Sequence, residues 1–171
     1  MLYSGDLETD RRTVDQQWRR FHWSVLGRLK VILLESIQME GELALARAAQ
    51  AKTEKRTRAM SRELTRVKSL LARLRSCRFP SSVVIELQLR AGLLRVLDQE
   101  EGLVEILRLL IDQFQQFGMQ TGVAAAKQRL GKTLGGEEGR ALLTESSALY
   151  LKQGVRNPRR FTELILPGWP P

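Results

Sequence analysis

The sequence predicts an all-α fold of about six helices, stacked as antiparallel hairpins. Three observations carry this prediction. Apolar residues recur at intervals of three and four along most of the chain, the period of a helix with one buried face. Gly118, Gly135-Gly136, Gly154 and Pro158 interrupt that period where helices of ordinary length would end. The region from 87 to 167 also reads as two copies of one helical hairpin. The first copy has the small pair Ala91-Gly92 and ends in Phe114-Gln115-Gln116-Phe117-Gly118-Met119. The second has Leu130-Gly131 and ends in Tyr150-Leu151-Lys152-Gln153-Gly154-Val155. In both endings an aromatic is followed four residues later by glycine and then by an apolar residue. The two endings lie about 36 residues apart, within the period of stacked helix-turn-helix repeats.

Residues 1–12 are polar and read as a loosely held arm. A helix is expected from Thr13, a candidate N-cap with Asp15 in the first turn. His22, Leu26, Leu29, Leu33 and Ile37 mark its buried face, broadened by Trp18, Val25 and Ile32. The helix-favouring run Glu42-Leu43-Ala44-Leu45-Ala46, with Ala48 and Ala49, extends it, and Gly41 is the expected site of a kink or break. The next helix is basic. Met60, Leu64, Val67, Leu71 and Leu74 step by four, three, four and three, a heptad-like seam. It should stop near Arg78, because Pro80 disfavours a helical Phe79. These two helices make 13–78 an N-terminal unit.

Residues 79–155 hold the two hairpins. Ser81 or Ser82 is the expected cap of a helix carrying Val84, Leu87, Ala91 and Leu94, with Glu86 supporting its start. Past 98–102 comes the most apolar helix, with Leu103, Ile106, Leu107, Leu110, Ile111 and Phe114, expected in the middle of the stack. Gly118 ends it. A further helix covers 121–134, where Ala124, Ala125 and Ala126 permit close approach by a neighbour. Gly135-Gly136 turns the chain and the last helix spans 137–153. Asn157-Pro158 reads as the end of regular structure, leaving 156–171 as a C-terminal arm with at most one short turn over 159–165.

Composition narrows the class. A chain of 171 residues is long enough to bury a core, and its apolar and charged contents are ordinary. No apolar run approaches the roughly 18 residues of a membrane span, and Asp6, Glu8 and Asp10 do not fit a secretory leader. Cys77 is alone and cannot make an internal disulfide, so a reducing cytoplasm is expected. The formal net charge of +9 is the unusual feature. Between residues 52 and 78 stand Lys52, Lys55, Arg56, Arg58, Arg62, Arg66, Lys68, Arg73, Arg75 and Arg78, against only Glu54 and Glu63. Such a segment attracts phosphate backbones and acidic protein surfaces through its summed field.

In the hairpins, Gly92 is expected to let two helices pack tightly. Gly118-Met119, the three alanines at 124–126, Arg129-Leu130-Gly131, Leu134-Gly135-Gly136 and Glu138-Gly139 form a pattern with a known likeness. So do Gln153-Gly154-Val155-Arg156-Asn157-Pro158-Arg159-Arg160 and Pro167-Gly168. Together they resemble the tetratricopeptide-like tail that follows the catalytic domain in large bacterial regulatory serine/threonine kinases and related multidomain signalling proteins. The likeness runs over 83–168 and thins back to Leu43-Ala44-Leu45-Ala46-Arg47-Ala48. Val104 and Ile111 suit the second helix of such a repeat, whereas Arg95 stands where an aromatic is common. In that family the tail is a helical scaffold for protein contacts and the chemistry lies upstream, so the resemblance implies a scaffold or adaptor with no cofactor. The chain has no Gly-rich phosphate loop, no lysine in a Val-Ala-Ile-Lys context and no His-Arg-Asp or Asp-Phe-Gly triplet, so kinase activity does not carry over.

Nothing in the residues points to catalysis. His22 lies on an apolar face, where a structural histidine is the expectation. Cys77 has arginines beside it but no histidine to pair with. Glu100-Glu101 and Glu137-Glu138 stand at helix starts, where the helix dipole explains them. No zinc or calcium ligand set occurs at usable spacing. Gly135-Gly136 lacks the strand and lysine of a phosphate cradle. The basic helix is the serious candidate: Arg58, Arg62, Arg66, Lys68, Arg73 and Arg75 fall off its seam, either as a solvated face or as a docking surface for an acidic protein partner. The alternative is nucleic-acid backbone, bound without sequence preference, since no aromatics for base stacking accompany them. Arg159, Arg160, Phe161 and Trp169 make the C-terminal arm a second candidate, either packed back over the last helix or docked on a neighbouring subunit. With two clear repeats, a partner protein or self-association is expected to cover an open end of the stack.

Overall fold

The computed structural model describes residues 30–77 and 79–169. The expected arm over 1–12, the helix start at Thr13 and the face through His22 and Leu26 lie outside the described residues, as does Arg78. Among the described residues there are seven helices and no strand: α1 (Lys30–Thr53), α2 (Thr57–Ser76), α3 (Ser82–Val96), α4 (Glu100–Gln116), α5 (Gln120–Leu134), α6 (Gly136–Lys152) and α7 (Pro158–Ile165). Each of α1 to α5 packs on its successor, α1 also packs on α3, and α7 packs on α5. Short connections between packed neighbours make them antiparallel hairpins.

Four helix ends share one device. At the end of α4 the Met119 amide reaches the Phe114 carbonyl at 2.8 Å and the Gly118 amide reaches the Gln115 carbonyl at 3.0 Å. At the end of α6, Val155 bonds Tyr150 and Gly154 bonds Leu151, both at 3.0 Å. This double closure puts one residue in the left-handed region, and Gly118 and Gly154 both have φ +68°. The same pattern ends α1 and α3 with Lys55 and Asp98 at the left-handed position, each at φ 56°. Phe114 and Tyr150, the aromatics of the two endings, are both fully buried in one core.

That core lies around α4, whose Leu103, Leu107, Leu110 and Phe114 are fully buried, as the apolar run predicts. Ala124, Ala125, Ala126 and Leu130 of α5 close it on one side, and Leu166 enters from beyond α7. A second core joins α1, α2 and α3 through Ile37, Leu45, Val67, Leu74 and Leu89.

Several local expectations need correction. Gly41 does not break α1, which runs through it; a Cβ there would sit 2.5 Å from Leu89 Cδ2, so the glycine marks close helix approach. Gly92 does the same, but toward α1 and the chain end, with Leu45 Cδ1 at 2.5 Å and the Pro167 carbonyl oxygen at 2.7 Å, rather than toward its hairpin partner. Ser81 does stand at the N-cap of α3, but its side chain makes no cap bond, while Ser82 Oγ donates back to the Phe79 carbonyl at 2.7 Å. Asn157-Pro158 starts a helix instead of ending regular structure. The Asn157 side chain accepts from the Arg160 amide at 3.1 Å, and proline suits the first helical turn.

Candidate functional site

The basic segment divides at the α1–α2 corner. Lys52 belongs to the end of α1, where its ammonium donates to Asp98 Oδ2 at 2.6 Å and to the Val96 carbonyl at 2.8 Å. Lys52 thereby holds the Asp98 carboxyl below the usual range. Lys55 and Arg56 form the turn, and Arg56 pairs with Glu54. The remaining cations lie on α2, whose seam residues Leu64, Val67, Leu70, Leu71 and Leu74 are buried.

Helical geometry sorts those cations into two rows. Arg58, Arg62 and Arg73 are exposed and stand on the outward crest, among Thr65, Ser69 and Ser76. Lys68 and Arg75, seven residues apart, line the edge that faces α3. Arg66 does not join either row. Its side chain is 32% exposed, and its Nε donates to Glu40 Oε1 of α1 at 2.8 Å. The α2 acid Glu63 is buried, so the exposed α2 face carries cations and no acid.

Between α2 and α3 runs an open trough of about 320 Å³. Its floor is Leu71, Ala72, Leu93 and Leu94, and its rim is Lys68, Arg75 and Arg90 with the single acid Glu86. Arg75 Nε lies 4.0 Å and Arg90 Nη1 3.8 Å from Glu86 Oε1, a loose shared pairing that leaves Arg75 largely in solvent and Arg90 about half so. Apolar floor and cationic rim are the two chemistries an acidic amphipathic segment presents in reverse.

The C-terminal arm folds onto its own chain. Arg159 and Arg160 are exposed, and Arg159 pairs with Glu163 along α7 at 3.1 Å. Phe161 packs edge-on to Tyr150 with ring centroids 6.1 Å apart. Tyr150 Oη and Thr162 Oγ1 share a buried hydrogen bond of 2.6 Å. Trp169 lies beneath the Arg129 guanidinium, 4.4 Å from carbon to ring centroid. The candidate arm thus separates into an exposed cationic pair and two half-buried aromatics.

Cys77 is half-buried and free, and among the described residues no group of acids, histidines and cysteines is arranged to hold a metal. No described helix is long and apolar enough to cross a membrane. Sequence reasoning missed Arg129 and Gln88. Arg129 is 5% exposed, and burial lowers its pKa to about 10, with Glu163 and Tyr150 opposing. The available signal was a cation on the helix face of Gly122, Ala125 and Ala126, which small residues mark as a packed face. The chain matches no protein-family model, no curated protein and no solved structure.

Proposed function

We propose that the chain is a non-enzymatic adaptor of tetratricopeptide-like type that holds an acidic, amphipathic segment of a partner protein in the trough between α2 and α3. The observation that carries this reading is the trough itself, with its floor of Leu71, Ala72, Leu93 and Leu94 beneath Lys68, Arg75 and Arg90. An apolar floor supplies affinity that a phosphate backbone cannot use, while the cations supply orientation and encounter rate.

The outward crest favours a second reading. Arg58, Arg62 and Arg73 lie along a helix of about 30 Å with no exposed acid among them, which suits a nucleic-acid backbone. Two probes separate the readings by fluorescence anisotropy: a labelled helical peptide of alternating Glu and Leu faces, and a labelled mixed-sequence oligonucleotide. Adaptor binding should capture the peptide with shallow salt dependence and be lost in Ala72→Glu, which places an acid on the trough floor. Preferential, steeply salt-dependent capture of the oligonucleotide, abolished by replacing Arg58, Arg62 and Arg73 together, would replace the adaptor reading with the second.

A further inference from the structure

The opposite face of α3 is also occupied, and by the chain itself. After α7 the backbone continues as Leu166-Pro167-Gly168-Trp169, and Leu166, Pro167 and Gly168 are buried between α3 and α5. Leu166 is 0% exposed. The Leu166 amide closes α7 on the Thr162 carbonyl at 2.8 Å, and beyond it side chains meet the carbonyls. Gln88 Nε2 donates to the Ile165 carbonyl at the end of α7 at 3.0 Å, and Arg129 Nη2 donates to the Leu166 carbonyl at 3.0 Å. The Arg129 guanidinium also covers the Trp169 ring.

The groove admits backbone and little more at its centre. A Cβ on Gly92 would lie 2.7 Å from the Pro167 carbonyl oxygen, and one on Gly168 would lie 2.9 Å from Gly92 Cα. Gly168 has φ +105°, a conformation that favours glycine. The subsites therefore favour an apolar side chain at 166, a buried proline at 167, glycine at 168 and an aromatic at 169. Past Gly168 the groove opens into a space of about 300 Å³ lined by Lys52, Thr53, Arg95 and Asp98. Arg129 Nε, buried and without a hydrogen-bond partner, remains as an unused donor.

We propose that this groove is a receptor for extended peptides of the pattern apolar-Pro-Gly-aromatic. The chain's own 166–169 is its resident, and a partner segment of the same chemistry is its exchange ligand. Side-chain donors on carbonyls, a close approach at glycine and a cation over an aromatic are contacts that an extended peptide of matching sequence can make in trans as well as in cis. A tethered resident is present at roughly millimolar effective concentration, so it excludes weak competitors and yields only to a matching segment. This inference concerns the face of α3 opposite to the α2–α3 trough and stands independently of the function proposed there.

The test uses the full chain and a fluorescein-labelled synthetic peptide of its own residues 157–171. Trp169→Ala weakens the resident but not the peptide, so it should bind the peptide about tenfold more tightly than the unaltered chain does. Adding Arg129→Gln should remove the binding, and a scrambled peptide should not bind. Equal affinity of Trp169→Ala and the unaltered chain, or equal binding of the scrambled peptide, overturns the proposal. Hydrogen exchange on the unaltered chain gives a second reading that needs no variant. The amides of Gly168 and Trp169 should exchange well ahead of those in α4, whereas exchange only with global unfolding would make the segment a permanent part of the core and overturn the inference.

Discussion

Glu42 shows how one residue sets a pH dependence. It lies in α1 with 7% of its surface exposed, and its Oε1 accepts from Gln38 Nε2 at 2.9 Å. Burial pushes its pKa up from 4.5 to about 7, and the bond from Gln38 offsets only part of that. The folded state therefore holds this proton more tightly than the unfolded chain does. The contribution of Glu42 to stability is fullest below pH 4.5, falls as the pH rises toward about 7 and then levels. The difference is about 3 kcal/mol. Glu42→Gln should flatten this window and raise stability at pH 8 by about 2–3 kcal/mol, as read by urea melts at pH 5 and pH 8. Lys55 makes a second prediction. Held at φ 56°, it carries a strain that glycine would not, so Lys55→Gly should stabilise the fold by about 0.5–1 kcal/mol in the same melts. The endings at Gly118 and Gly154 were legible because glycine advertises the left-handed position. Those at Lys55 and Asp98 were less so, because the same closing hydrogen bonds hold residues with side chains there and no glycine marks the place.

Periodicity carried most at the scale of elements. The α2 seam and the buried face of α4 follow directly from residue spacing, because burying one face is what makes a helix of this length stable. What spacing could not give was which helix each small residue faces. Gly41 and Gly92 read as a break and a hairpin contact, yet both serve contacts between α1 and α3 or the chain end. Arg66 read as part of a docking row until Glu40 on the neighbouring helix claimed it. The trough could not be seen at all, since Arg90, Leu93 and Leu94 join Lys68 and Arg75 only once α2 and α3 lie side by side. Helices α5 and α6 meet backbone to backbone, where a Cβ on Gly139 would lie 2.5 Å from the Gly131 carbonyl oxygen. Backbone cannot step aside as a side chain can, so Gly139→Ala should cost about 3 kcal/mol or more. Gly102→Ala is the control. Its Cβ would meet Leu94 at an ordinary 3.6 Å, and the gain in helix propensity should stabilise by about 0.5–1 kcal/mol. Chemical denaturation of the two variants side by side checks both.

Across the whole molecule, the helices form an array in which most contacts join neighbours in sequence. An array of that kind ordinarily loosens from its tips, one unit at a time, like a ladder shedding rungs. The segment at 166–169 changes the outcome. By reaching back from beyond α7 to Gln88 and Gly92 of α3, it fastens the far end of the chain to its middle. The terminal hairpin then has no separate way to fray: releasing it also uncovers Leu166, Trp169 and the Arg129 guanidinium in a single event. A buckle of this sort ties opening to one small cluster around Gln88, Gly92 and Arg129, and so turns gradual melting into a catch that is either shut or sprung.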